Sequence, residues 1–406
     1  MLFLRVLVGA QHAASQLGNQ RNKSSTLGLL EFSPVISSVL TRMKSLPTPL
    51  PIESPSQTPN EPLRNACLST LQGLQNSDGG WGFHANEPSR AEPSCWAIVA
   101  LFPPNQPDSK HSSASESHRK ATNFLRATQL ADGSWPASSQ MNAGSWITSL
   151  ACSVLRGDEP SVNNIKAGLK WLCEDFPRDS SLFQRFLQSL RPKSHIVSHN
   201  DSYRGWGWTP RTSSWVEPTS FALIALREAD PQYLPKNAAE RRTLAISLLY
   251  DRMCPGGGWN CGNPRVYGVD GDALVLPTCW ALLALSDAEE KPGRLLSLAW
   301  LQKEFPKIQS PGSLALAIIT MQHYGIEPPP AKPESQYKHG LQHWSAEDFS
   351  EQGTHVLAWI CLALDPVRQW PALIARTANP SATVLDTPVP NTTASAPHKT
   401  AQGLGQ

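Results

Sequence analysis

Residues 75–81 read QNSDGGW, and residues 129–135 read QLADGSW. Both fit one frame: Gln, three residues ending in Asp, Gly, one small residue, Trp. The glycines permit a tight turn, and a Gln amide can hydrogen-bond at a helix end while its plane lies against an indole. Ahead of each heptad runs a stretch of mixed polarity with helical periodicity, RNACLSTLQGL before the first and HRKATNFLRAT before the second. Self-similarity at a fixed period is the mark of a repeat architecture, and it is read before any other signal.

A second phrase recurs downstream. EPSCWAIVAL occupies 92–101, EPTSFALIAL occupies 217–226 and LPTCWALLAL occupies 276–285. Proline suits a first helical position, where its missing N–H is not needed, and the neighbouring Glu, Ser or Thr can satisfy free N–H groups. The rest of each phrase is apolar on every side, so each copy predicts a fully buried helix. AGSWITSLACSVL (143–155), SLALAIITM (313–321) and GTHVLAWICLAL (353–364) are looser copies. The unit is therefore an amphipathic helix, a Gly/Trp loop and a buried helix. Trp81, Trp135, Trp208 and Trp259 mark four loops, with Gln75 and Gln129 heading the first two and Met253 in the Gln place of the last. Two weaker units, near SLAWLQKEF and YKHGLQHWS, bring the total to about six. Buried helices alternating with amphipathic ones predict an all-α fold, an inner ring wrapped by an outer one: an α/α toroid.

The toroid is expected over residues 61–377. Residues 1–60, with a Pro-rich stretch LPTPLPIESPSQTPNEP running into the toroid, and the Thr/Ala/Pro-rich tail 378–406 are expected to lack regular structure. A net charge of +2 suggests no nucleic-acid partner, whereas 14 Trp in 406 residues ask for large rigid packing surfaces or π faces lining a pocket. The eight Cys show no CxxC spacing, which favours free thiols in a reducing, cytoplasmic setting. MLFLRVLVGAQHAA at the start has a short apolar run but no basic residues ahead of it, so a secretory leader is not the expected reading.

QxxxGxW leading into an apolar helix resembles the QW repeat of squalene–hopene cyclases and the related repeats of protein prenyltransferase β-subunits. The resemblance implies a terpene cyclase of the isomerase class, or a prenyltransferase-like transferase. The ligand it implies is a polyisoprenoid or triterpenoid held in an aromatic cavity, with no cofactor and with peripheral membrane contact left open. The family's Asp-x-Asp-Asp acid motif is only partly present: Asp270 and Asp272 precede an inner helix in VDGDALVLPTCWALL. As an acid pair, one carboxylate would raise the pKa of the other; as a polar loop, Asp-Gly-Asp makes a turn. Glu92 and Glu217 precede helix-opening prolines, where they read either as cavity acids, Glu217 foremost, or as caps favoured by the helix dipole. Trp96, Trp146, Phe221, Trp280 and Trp359 fall early in buried helices and are expected to line the ligand site, with π faces suited to carbocations. The prenyltransferase alternative implies zinc on Cys279 and His355 and a partner subunit, although Pro277 stands where that family's Asp belongs. A non-catalytic toroid for lipid or protein binding is the remaining reading.

Overall fold

The structure, a computed structural model, describes residues 61–102, 113–175, 200, 202–328, 341 and 345–365. The two terminal segments and most of the YKHGLQHWS unit lie outside the described residues.

Helices alternate in character along the chain. α1 (Glu61–Gly73), α3 (Ser113–Ala127), α5 (Val162–Glu174), α7 (Ala238–Asp251), α9 (Pro292–Glu304) and α11 (Ala346–Glu351) bury only part of their surface. α2 (Ala91–Leu101), α4 (Ile147–Val154), α6 (Val216–Glu228), α8 (Val275–Ala284), α10 (Pro311–His323) and α12 (Thr354–Ala363) are buried almost all round. The buried set packs in the order α2, α4, α6, α8, α10, α12, and α12 returns to α2, so the inner ring closes. The other helices lie outside it, α1 against α2 and α12, α5 against α4 and α6, α7 against α6. This is the α/α toroid that the alternation predicts. A single short hairpin, β1 (Arg265–Val266) and β2 (Val269–Asp270), interrupts the helices among the described residues.

One set of hydrogen bonds repeats around the ring. The indole N–H groups of Trp81, Trp135, Trp206 and Trp259 donate to the carbonyls of Leu71, Leu125, Leu172 and Leu249 at 2.8, 2.7, 2.9 and 2.6 Å. Those carbonyls lie at outer-helix C-terminal turns, where carbonyls lack intrahelical partners. The backbone N–H of the same four residues donates to the hydroxyls of Ser94, Thr148, Thr219 and Thr278, in the first turns of inner helices. Each Trp thus ties the end of one outer helix to the start of one inner helix.

The third marker differs from expectation: Trp206, not Trp208, is the repeat tryptophan. Trp206 is buried and makes both bonds, while Trp208 is half-buried. Gln75 and Gln129 also work differently. Each amide donates to its own turn, at Gly79 O and Gly133 O, and to the next outer helix, at Ser117 O and Asn164 O. They join successive outer helices, not an outer helix to an inner one. Gly79 and Gly133 hold φ of +92° and +91°, and a Cβ there would lie 2.5 and 2.7 Å from the carbonyl oxygens of Lys120 and Ala167. No other residue satisfies both the φ and the approach.

Candidate functional site

The loops after the repeat tryptophans and the N-termini of the inner helices form one face of the toroid. That face is sewn by a bond of one type. Trp146 N–H donates to Trp208 O at 3.2 Å, Val216 N–H to Cys261 O at 3.2 Å, and Thr354 N–H to Phe83 O at 2.8 Å. Each acceptor stands two residues after a repeat tryptophan, and the last bond joins α12 to the first loop, closing the circle.

Inside this face lie two tiers of side chains, separated by one helical turn. The outer tier holds Glu92, Trp146, Glu217, Leu276 and His355, and the tier four residues deeper holds Trp96, Leu150, Phe221, Trp280 and Trp359. Trp146 therefore corresponds to Glu92 and Glu217; it is not an equivalent of Trp96, as the sequence pattern suggests. The deeper aromatics meet in the centre. Trp96 and Trp280, from helices on opposite sides of the ring, have ring centroids 5.5 Å apart. Phe221 lies 4.6 Å from Trp280 and 4.8 Å from Trp146, and Trp359 lies 5.5 Å from Trp96. At this depth aromatic rings from α2, α6, α8 and α12 meet across the axis and form a floor. The indole N–H groups of Trp96 and Trp359 find no acceptor.

Above this floor Glu92 and Glu217 are half-buried, and desolvation pushes each carboxyl up to about 7. Arg90 opposes the shift at Glu92 without cancelling it. Neither carboxylate caps its helix: Arg90 and Trp215 occupy the N-cap positions, with no side-chain capping bond. Desolvation is the largest cause of both shifts, and it acts against the lowering that a helix N-terminus gives a carboxylate. His355 packs edge-on against Trp359 at 5.3 Å and Phe83 at 6.0 Å, and burial brings it down to about 4, with His84 adding to the effect. At neutral pH this tier thus holds a neutral imidazole and two carboxylic acids poised between their forms.

The remaining expected site residues lie elsewhere. Asp270 and Asp272 do not face an enclosed apolar cavity: Asp270 ends the β1–β2 hairpin, half-exposed and ion-paired with Arg265 at 2.8 Å, and Asp272 is exposed just beyond it. The hairpin turns through Tyr267 and Gly268, both at positive φ, and lifts the acidic pair off the inner helix. The zinc alternative gains no donor set. Burial pushes the Cys279 thiol up to about 12, partly offset by a hydrogen bond with Thr320. Among the described residues no three His, Cys, Asp or Glu side chains gather as a metal site. No helix among them is long and apolar enough to cross a membrane.

The fold and the two-tiered face define an all-α toroid with an aromatic floor. No family model matches the chain, and no curated protein matches it. Solved structures with a similar chain path include the type II terpene cyclase MstE from Scytonema in its apo form, 14% identical, with a TM-score of 0.42 over 64% of this chain and 73% of that one. An Asp-to-Asn variant of that enzyme in complex with the substrate geranylgeranyl dihydroxybenzoate is 13% identical, with a TM-score of 0.42 over 64% and 71%. A protein from Actinoplanes is 17% identical, with a TM-score of 0.43 over 68% and 76%. These similarities concern fold and carry no information about the site.

Proposed function

We propose that the toroid receives a polyisoprenoid at its inner-helix N-terminal face and acts on it as a squalene-cyclase-like isomerase, with Glu217 as the acid. The observation that supports this reading is the pairing of a half-buried, unpaired carboxyl, raised to about 7, with a floor of aromatic rings. A protonated carboxyl is the group needed to attack an alkene or epoxide, and a pKa near the working pH suits a general acid. The proton passes from Glu217 to the terminal alkene, whose π pair forms the new C–H bond and leaves a tertiary cation. Trp96, Phe221, Trp280 and Trp359 offer π faces to that cation. The next alkene closes a ring onto it, and loss of a proton to the Glu217 carboxylate or to neutral His355 ends the sequence with no net change in composition. Glu92 is a second acid in the same tier. Asp270 and Asp272 remain candidates only if the hairpin folds over a bound substrate.

A non-catalytic lipid-binding toroid is the second reading, and the ring contact across the axis between Trp96 and Trp280 favours it, because a filled centre leaves the substrate only the outer tier. Incubation of the full chain with squalene, oxidosqualene and prenyl diphosphates, with product analysis, separates the two. Cyclised product from wild type and at least 100-fold less from Glu217→Gln supports the acid. Product that survives Glu217→Gln but is lost in Asp272→Asn moves the acid to the hairpin. No product alongside saturable binding establishes the second reading.

A further inference from the structure

Buried indoles in this molecule are bonded in the frame and unbonded at the site. The four repeat tryptophans donate to outer-helix carbonyls at 2.6 to 2.9 Å. The indole N–H groups of Trp96 and Trp359, residues 2% and 9% exposed, find no acceptor. A third polar atom beside them, Nδ1 of His355, is likewise shut off from solvent without a partner. All three belong to the seam where α12 packs on α2. The Trp96 and Trp359 rings meet edge-on with centroids 5.5 Å apart, and the His355 ring meets Trp359 edge-on at 5.3 Å. An edge-on pair lets at most one indole N–H face the other ring, and such a contact is weaker than a conventional hydrogen bond. Packing does not require indoles here, because the equivalent position of α6 carries a phenyl ring, Phe221. A buried donor without an acceptor is costly and rare in folded chains. Two of them beside an unpartnered imidazole nitrogen mark a place for an oxygen atom.

We infer that the α2–α12 seam is a hydroxyl site: the oxygen of a neutral isoprenoid alcohol accepts from the indole N–H groups of Trp96 and Trp359 and donates its proton to Nδ1 of His355. The inference rests on the reading of this face as an isoprenoid site, and it is independent of whether that site is catalytic. A hydroxyl matches the three groups because its lone pairs take two donors and its O–H serves one acceptor. A neutral imidazole, the form in which burial keeps His355, has one accepting nitrogen, and Nδ1 is that atom when Nε2 carries the proton. An anionic head group fits less well, since Glu92 stands one helical turn above Trp96 on the same helix. A hydrocarbon terminus leaves all three atoms unpartnered. The oxygen enters by parting Trp359, the most exposed of the floor rings, from Trp96. Its anchorage on the floor sets the hydroxyl end of the chain deepest and turns the opposite, alkene end toward the Glu217 carboxyl.

The test is equilibrium binding of farnesol and of farnesene, its hydrocarbon counterpart, to the full chain and to Trp96→Phe and Trp359→Phe, which keep an aromatic ring and remove the N–H. The readout is the ratio of the two dissociation constants in each protein, so the differing water solubility of the probes cancels between proteins. Each substitution is expected to lower the preference for farnesol by roughly 2- to 10-fold. Trp280→Phe should change the affinity for both probes by the same factor. NMR of the indole N–H protons in wild type needs no variant: two signals should move downfield with farnesol and stay in place with farnesene. A preference unchanged in both Phe variants overturns the inference. So do indole signals that answer both probes alike, or that stand at bonded positions before either is added, the mark of an ordered water only. Binding of neither probe removes the isoprenoid reading of the face together with the inference, whereas equal binding of both removes the inference alone.

Discussion

The two ends of the inner ring treat their acidic residues in opposite ways. At the C-terminal end, Glu228 accepts from Arg156 and Arg227, each at 2.7 Å, and Asp287 pairs with Arg227 at 3.4 Å and Arg242 at 2.6 Å. The C-terminal ends of α4, α6 and α8 are thereby chained together by paired charges. A pocket of about 510 Å³ opens beside them between α4, α5 and α6, and its polar wall is the satisfied Arg156–Glu228 pair. At the N-terminal end, Glu92 and Glu217 form no ion pair and stand one helical turn before the rings of Trp96 and Phe221. A carboxylate that holds a structure together is paired; one left unpaired and desolvated is costly to keep charged, and such groups concentrate where chemistry is done. The same ring thus uses charge as mortar at one end and withholds it at the other.

This contrast can be broken by mutation. The largest effect is expected in the frame that supports both ends: Trp206→Ala should cost about 3–5 kcal/mol in urea unfolding, while Trp208→Ala costs about 1 kcal/mol or less. The reverse order would return the repeat role to Trp208. Gly133→Ala should cost at least about 2 kcal/mol, because the new Cβ meets the Ala167 carbonyl at 2.7 Å and φ is +91°. At the paired end, Glu228→Gln removes the carboxylate that both Arg156 and Arg227 bond, leaving Arg227 its pair with Asp287, and should cost about 2 kcal/mol at pH 7. At the unpaired end the sign inverts. Each carboxyl binds its proton more tightly in the folded chain, near pH 7, than in the unfolded chain, whose ordinary value is 4.5. Their favourable contribution is complete below pH 4.5 and is lost as pH rises through 7. Glu92→Gln and Glu217→Gln should therefore match wild type near pH 4.5 and exceed it by about 1–3 kcal/mol at pH 8.5, as read by denaturant midpoints at the two pH values. A loss of stability at pH 8.5 would show that the carboxylates are ion-paired or capping after all.

Much of the fold is legible because its punctuation is local. The Asp-Gly turn and its Gln meet within one heptad, the first two repeat Trp bond within 13 residues on either side, and an all-apolar helix after a proline has no alternative to burial. The third unit misleads for an equally local reason: RGWGW offers two tryptophans, and no Gln precedes either. The spacing of 13 residues from repeat Trp to the inner-helix hydroxyl, shared by Trp81–Ser94, Trp135–Thr148 and Trp206–Thr219, is the signal that selects the right one. The site is less legible. Asp270-Gly-Asp272 looks like an acid motif as a string, but a two-residue-strand hairpin exposes it. Glu92 and Glu217 look like helix caps as strings, and only closure of the ring buries them. Desolvation depends on neighbours contributed by other repeats, so no window of sequence contains it.

The central claim is that the inner-helix N-terminal tier holds carboxylic acids neutral up to about pH 7. It is tested most directly by a pH titration of glutamate side-chain carboxyl carbons by NMR on chain labelled at Glu, comparing wild type with Glu92→Gln and Glu217→Gln. The account predicts two resonances with midpoints near 7 in wild type, one of which disappears in each variant. Glutamate resonances that all titrate near 4.5 would contradict it.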